Sequence, residues 1–235
     1  MLARHLINPA ITFLLTVTCL VLGVYSYGVP LLFDCVSTGA FILIAYVFRH
    51  NVDIKTVCLL LVIENSIINL AFLSLNNNLV YVACAFLLTA LTLWFVRSDK
   101  LVKPVAILLV ITLFAEIYWY QIGHPAPQIY FYFFKISLSL IVRFLLLYRP
   151  HGLNYYLNSG ASILRLDWFV YKTIWISCVI ECAMITEFLI RHLFKINALY
   201  IYHAYEYMMH ALAVWVLWLV VREAIKLQQQ SLIRA

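Results

Sequence analysis

Six acidic residues stand inside long runs of apolar sequence: Asp34, Glu64, Glu116, Glu181, Glu187 and Glu206. Lys135, His203 and His210 join them there. An ionisable side chain at the centre of a bilayer costs at least ~2.5–3.5 kcal/mol even on the lenient insertion scale, so such groups face a bundle interior, water or one another. The chemistry open to them is therefore narrow: ion pairing, binding or passing a cation or proton, and holding a metal.

His203, Glu206 and His210 are spaced i, i+3, i+7, which places them within a sector of about 60° on one helix. They are expected to form a polar stripe facing inward from the outer third of the membrane to its middle. Residues counted from a turn near Lys195, at about 1.5 Å each, put Glu187 level with His203 and Glu181 level with His210. The same count about a turn between Pro125 and Ala126 puts Glu116 level with Lys135, and these two are expected to form a structural ion pair. Glu64 precedes Asn65, Ser66 and Asn69, side chains that hydrogen-bond neighbouring membrane helices. The candidate ion or ligand pathway is thus Asp34, Glu64, Asn65, Asn69, Glu181, Glu187, His203, Glu206 and His210. The plainer reading of each is a hydrogen-bonded contact that glues helices together.

Catalysis is weakly signalled. No Gly-x-Ser-x-Gly elbow and no HExxH motif occurs, and Cys35 beside Asp34 would be a nucleophile only if something activated it. His203 and His210 lie about 10 Å apart along a helix, too far to share one ion, so a metal site would need Glu181 or Glu187 as well. Metal and cofactor stay undetermined. The six cysteines fall in apolar runs with no CxxC or Cys/His zinc spacing, and free buried thiols are expected.

The elements that must hold these groups follow from composition. Of the 235 residues 66% are hydrophobic and only 11% charged, against about 25% charged in an ordinary soluble domain. The fold class is all-α: a polytopic helical bundle, read as one transmembrane domain over residues 1–235 with about eight spans. Apolar windows run over residues 7–27, 29–48, 54–75, 79–96, 102–121, 127–148, 167–190 and 198–221. Gly28-Val29-Pro30, Asn76-Asn77-Asn78, Gly123 to Pro127, and Asn197 supply the turns. Four hairpins result, about 7–48, 54–96, 102–148 and 167–221, followed by a polar tail at 222–235. The run after Arg4 leads into further spans without a small-residue cleavage site and is read as the first span.

Arg4, Arg49, Lys55, Arg97, Lys100, Lys103, Arg149, Arg165, Arg222, Lys226 and Arg234 all fall on one side of an eight-span chain. Arg143 and Lys172 can snorkel to that side, and only Arg191 and Lys195 fall opposite. The positive-inside rule then makes both termini cytoplasmic. The expected site is a bacterial inner membrane. The net charge of +6 is spread over helix ends rather than gathered on one polar face, so no nucleic-acid partner is expected.

Every proline lies at a span end or in a loop, which favours stiff, continuous helices over the interrupted helices of many alternating-access transporters. The reading is a non-enzymatic multi-pass protein with an externally open polar pocket, of channel or binding type for a small cation or proton. Its partners are the lipid bilayer and either further copies of itself or other subunits. The alternative is a sensor or interaction subunit of a larger complex with structural buried charges, and the second alternative is an intramembrane enzyme.

Overall fold

The computed structural model describes residues 2–73, 79–123, 129–158, 160–196 and 199–234. These form eight helices and no strand: α1 Leu2–Ser26, α2 Pro30–Val47, α3 Val52–Leu73, α4 Leu79–Phe95, α5 Val102–Gln121, α6 Ile129–Leu157, α7 Arg165–Phe194 and α8 Tyr200–Arg234. The turn signals at Asn76-Asn77-Asn78, His124-Pro125-Ala126-Pro127 and Asn197 lie outside the described residues. At the first turn Gly28 takes φ +81°, and Gly123 closes α5 with φ +65°. Both values suit glycine because a Cβ would clash with the following carbonyl there.

Five helices are long and apolar enough to cross a membrane: α3, α5, α6, α7 and the Tyr200–Gln228 part of α8. The apolar stretches of α1, α2 and α4 are shorter, Phe13–Ser26, Leu31–Val47 and Val80–Phe95. Large apolar side chains cover the outside of these helices, among them Trp94 at 79% exposure and Phe114 at 70%. Water does not tolerate apolar patches of this extent, whereas lipid does.

The chain divides into two compact units, and α3, α6, α7 and α8 each contribute residues to both. The first comprises Met1–Ser66, Leu146–Thr173 and Met209–Ala235. Ile54, Val57, Cys58 and Val220 are fully buried in it. Here α1 meets α8 closely: a Cβ built on Gly23 would stand 2.8 Å from Val214 Cγ2. The small residue permits the close backbone approach that membrane helices use in place of hydrophobic attraction. Trp218 Nε1 donates to Thr16 Oγ1 (3.1 Å) across the same pair of helices.

The second unit comprises Ile67–Leu145 and Ile174–Met208. Its core is built on Val105, Phe133, Ile136, Leu140 and Ile185. Polar side chains join α4 to α6 within it: Ser137 Oγ donates to Thr89 Oγ1 (2.9 Å), and Thr89 Oγ1 donates to the Phe133 carbonyl (3.3 Å). Trp119 packs edge-on against Phe188, with ring centroids 5.9 Å apart.

Candidate functional site

In the first unit the polar centre is Arg149, near the end of α6. Its position depends on how α3 and α7 start. Asn51 caps α3, its Oδ1 accepting the amides of Asp53 (3.1 Å) and Ile54 (3.3 Å), which satisfies two otherwise orphaned donors. At α7 the third residue, Asp167, reaches back to the amide of Leu164 (2.8 Å), the acidic half of a capping box. Both carboxylates are thereby held at helix N-termini, where the partial positive charge favours them.

The Arg149 guanidinium bridges them. Nη1 lies 2.7 Å from Asp53 Oδ1 and Nη2 2.7 Å from Asp167 Oδ2. The two nitrogens also donate to Thr56 Oγ1 (3.1 Å) and to the Ser162 carbonyl (2.9 Å). Ser162 in turn donates its amide and hydroxyl to Asp53. The α6–α7 connection is held a second time by Asn154, whose amide group bonds both the carbonyl and the N–H of Ala161. Arg149 is 7% exposed and Asp167 wholly buried. Arg149 Nε and Asp167 Oδ1 take no hydrogen bond among the described residues.

Two further ion pairs occupy the second unit. Arg143 Nη1 stands 3.1 Å from Asp99 Oδ2, and Asp99 is positioned by accepting the Leu101 amide (3.0 Å). Arg143 is 2% exposed, so it is sheltered by a carboxylate rather than snorkelling to water as its place near a span end suggested. The other pair is Lys135 with Glu181, 3.1 Å apart. Tyr205 Oη accepts from Lys135 Nζ (3.3 Å), and Ser177 Oγ donates weakly to Glu181 Oε1 (3.5 Å). Glu181 is completely buried, and its Oε2 has no hydrogen bond among the described residues.

This corrects the expected Glu116–Lys135 pair. Counting from a hairpin turn fixes height along two helices but not the direction in which each side chain points, and α7 rather than α5 faces Lys135. Glu116 is only half-buried and forms no ion pair among the described residues.

The polar stripe on α8 does not turn inward as a unit. His203 and Glu206 are exposed, and only His210 is half-buried. His210 Nε2 donates to the Gly23 carbonyl (2.8 Å), with its ring edge-on to Phe33 at 4.8 Å. Its role is to tie α8 to α1. Glu187 is buried against the start of α8, where its two oxygens accept the amides of Ile201 (2.6 Å) and Tyr202 (3.1 Å). Glu187 thus meets the backbone amides of residues 201 and 202, whereas the count from the turn placed it level with His203.

Of the remaining candidates, Asn65 Nδ2 donates to Thr38 Oγ1 (3.4 Å), a link between α3 and α2. Glu64 is buried, while Asp34 and Asn69 are half-buried. No group of three or more His, Cys, Asp or Glu residues is placed to hold a metal ion among the described residues. No family model matches this sequence, and neither a curated protein nor a solved structure gives a match.

Proposed function

We propose that this chain is a non-enzymatic membrane protein of eight spans with both termini cytoplasmic, working as an interaction or sensor subunit of a larger assembly. One observation carries the reading: among the described residues, the two buried arginines and the half-buried Lys135 are neutralised by carboxylates from other parts of the fold, Lys135 by Glu181, Arg143 by Asp99, and Arg149 by Asp53 and Asp167. Charges spent on one another hold helices together. They leave little field with which to draw an ion inward. Breaking such a pair exposes an uncompensated buried charge, so the pairs contribute to a unique packing more readily than to stability.

The eight-span topology rests on the apolar stretches of all eight helices and on the one-sided distribution of Arg and Lys. A bacterial inner membrane suits short loops with basic residues on one side. Conduction of a small cation or proton is the second reading, favoured by Glu181 Oε2, which takes no hydrogen bond among the described residues, and by exposure of His203 and Glu206 on the first two turns of α8.

Proteoliposomes carrying the purified chain and a pH-sensitive or cation-sensitive dye separate the two. The subunit reading expects no flux above empty vesicles under an imposed gradient. Flux that disappears in Glu181→Gln would overturn it and establish the conducting reading.

A further inference from the structure

The ion pairs within the chain take up Arg143, Arg149 and Lys135, but the first turns of α7 carry two basic residues that stay outside them. Arg165 and Lys172 are both exposed, and neither makes an ion pair among the described residues. Seven residues at about 100° each return to within about 20° of the same direction, so the two side chains rise from one face of the helix. The nearest acid in sequence, Asp167, is wholly buried and turned to Arg149 and to the Leu164 amide.

The two charges stand closer together than the two backbone positions do. Lys172 lies about 10 Å further along the axis than Arg165, but its ammonium is folded back over the ring of Trp168, 4.7 Å from the centroid. The charge is thereby drawn about one turn nearer the helix start, to a level roughly 5 Å from Arg165. Trp168 is itself held by stacking on Tyr171, with ring centroids 5.7 Å apart and planes 15° from parallel. Trp168 and Phe169 are exposed beside the two cations, and α7 as a whole is long and apolar enough to cross a membrane. Tryptophan together with snorkelling basic side chains at the end of such a helix belongs at the level of the lipid headgroups.

We propose that the start of α7 binds an anionic phospholipid, its phosphate held between Arg165 and the folded Lys172 and its glycerol end against Trp168 and Phe169. The guanidinium offers a planar fork to two phosphate oxygens, and the ammonium adds a point charge. Two unpaired cations suit a headgroup of net negative charge, whereas a headgroup with its own ammonium would bring a third positive charge to them. The proposal needs α7 to cross the bilayer but does not need the subunit role, so its outcome is independent of the flux assay.

Native mass spectrometry of the full chain, released from detergent with phosphatidylglycerol or phosphatidylcholine added in turn, tests this. The parent chain should retain phosphatidylglycerol the better. A basic residue close to an anionic headgroup contributes about fivefold in affinity, so Arg165→Gln and Lys172→Gln should each lower that retention about fivefold and the double variant about 25-fold. Both side chains are exposed, and the single variants keep the test open if the double one fails to fold. Arg97→Gln with Lys100→Gln removes the same charge from two exposed positions between α4 and α5 and should leave retention close to the parent's. An equal fall in this control would mean attraction by net charge alone and overturn the proposal, as would retention unchanged without Arg165 and Lys172. Displacement of the lipid by an equal concentration of inorganic phosphate would also overturn it, by assigning the two cations to a soluble anion.

Discussion

Arg149 in the first unit is buried and Lys135 in the second half-buried, both cations in helical, apolar surroundings, yet they are accommodated differently. Arg149 divides its donors among two carboxylates, a threonine hydroxyl and a loop carbonyl. Lys135 has one carboxylate and one tyrosine hydroxyl. The planar guanidinium can address several partners at once, whereas an ammonium is a compact point charge. Arg149 thus ties the starts of α3 and α7 to the loop between α6 and α7. Lys135 links α6 to one side chain on α7 and one on α8, and in each site one carboxylate oxygen, Asp167 Oδ1 or Glu181 Oε2, takes no hydrogen bond among the described residues. The difference teaches that burial alone does not define a role for a charge; the number and origin of its partners do.

The largest break in this comparison should come from Arg149→Leu, which strands two carboxylates near one another at the helix starts. A loss of roughly 3–5 kcal/mol is expected for an uncompensated buried charge, visible as a marked fall in the melting temperature of the detergent-solubilised chain. A melting temperature equal to the parent's would mean that Asp53 and Asp167 do not depend on the arginine.

At the other end of the scale stand the exposed polar residues of α8 and the half-buried Glu116. His203→Ala, Glu206→Gln and Glu116→Gln should each change stability by no more than about 0.5 kcal/mol, the usual range for positions without a buried partner. Cysteines placed singly at 203 and 206, in a background lacking the six native ones, should react with an impermeant thiol reagent, and a cysteine at 210 much less. Strong protection at 203 and 206 would sharpen the comparison differently, by indicating that another subunit covers that face.

The helical class was legible because runs of about 20 apolar residues admit few other structures, and several helices begin within a few residues of the apolar windows. The pairing was less so. Glu116 and Lys135 agree in height, but sequence spacing carries no information on how two helices are rotated against each other, and Lys135 turns to Glu181. The spacing of His203, Glu206 and His210 gives a shared sector of α8 without saying which neighbour it meets, and of the three only His210 is half-buried. The Arg149 centre was missed because Arg143, Arg149, Asp53 and Asp167 all lie near span ends, where contact with water is the simplest expectation. A signal was present in Asn51 two residues before Asp53 and in Asp167 at the third position of α7, both marks of a helix start that concentrates acid there.

The claim that the buried charges are structural pairs is tested most directly by a double-mutant cycle on Lys135 and Glu181, read as thermal stability of the full chain in one detergent. Lys135→Leu and Glu181→Leu alone should each lose roughly 3–5 kcal/mol, while the double variant should return close to the parent, because removing both charges leaves none uncompensated. Additive losses, with the double variant worse than either single one, would contradict the pairing and the structural role built on it.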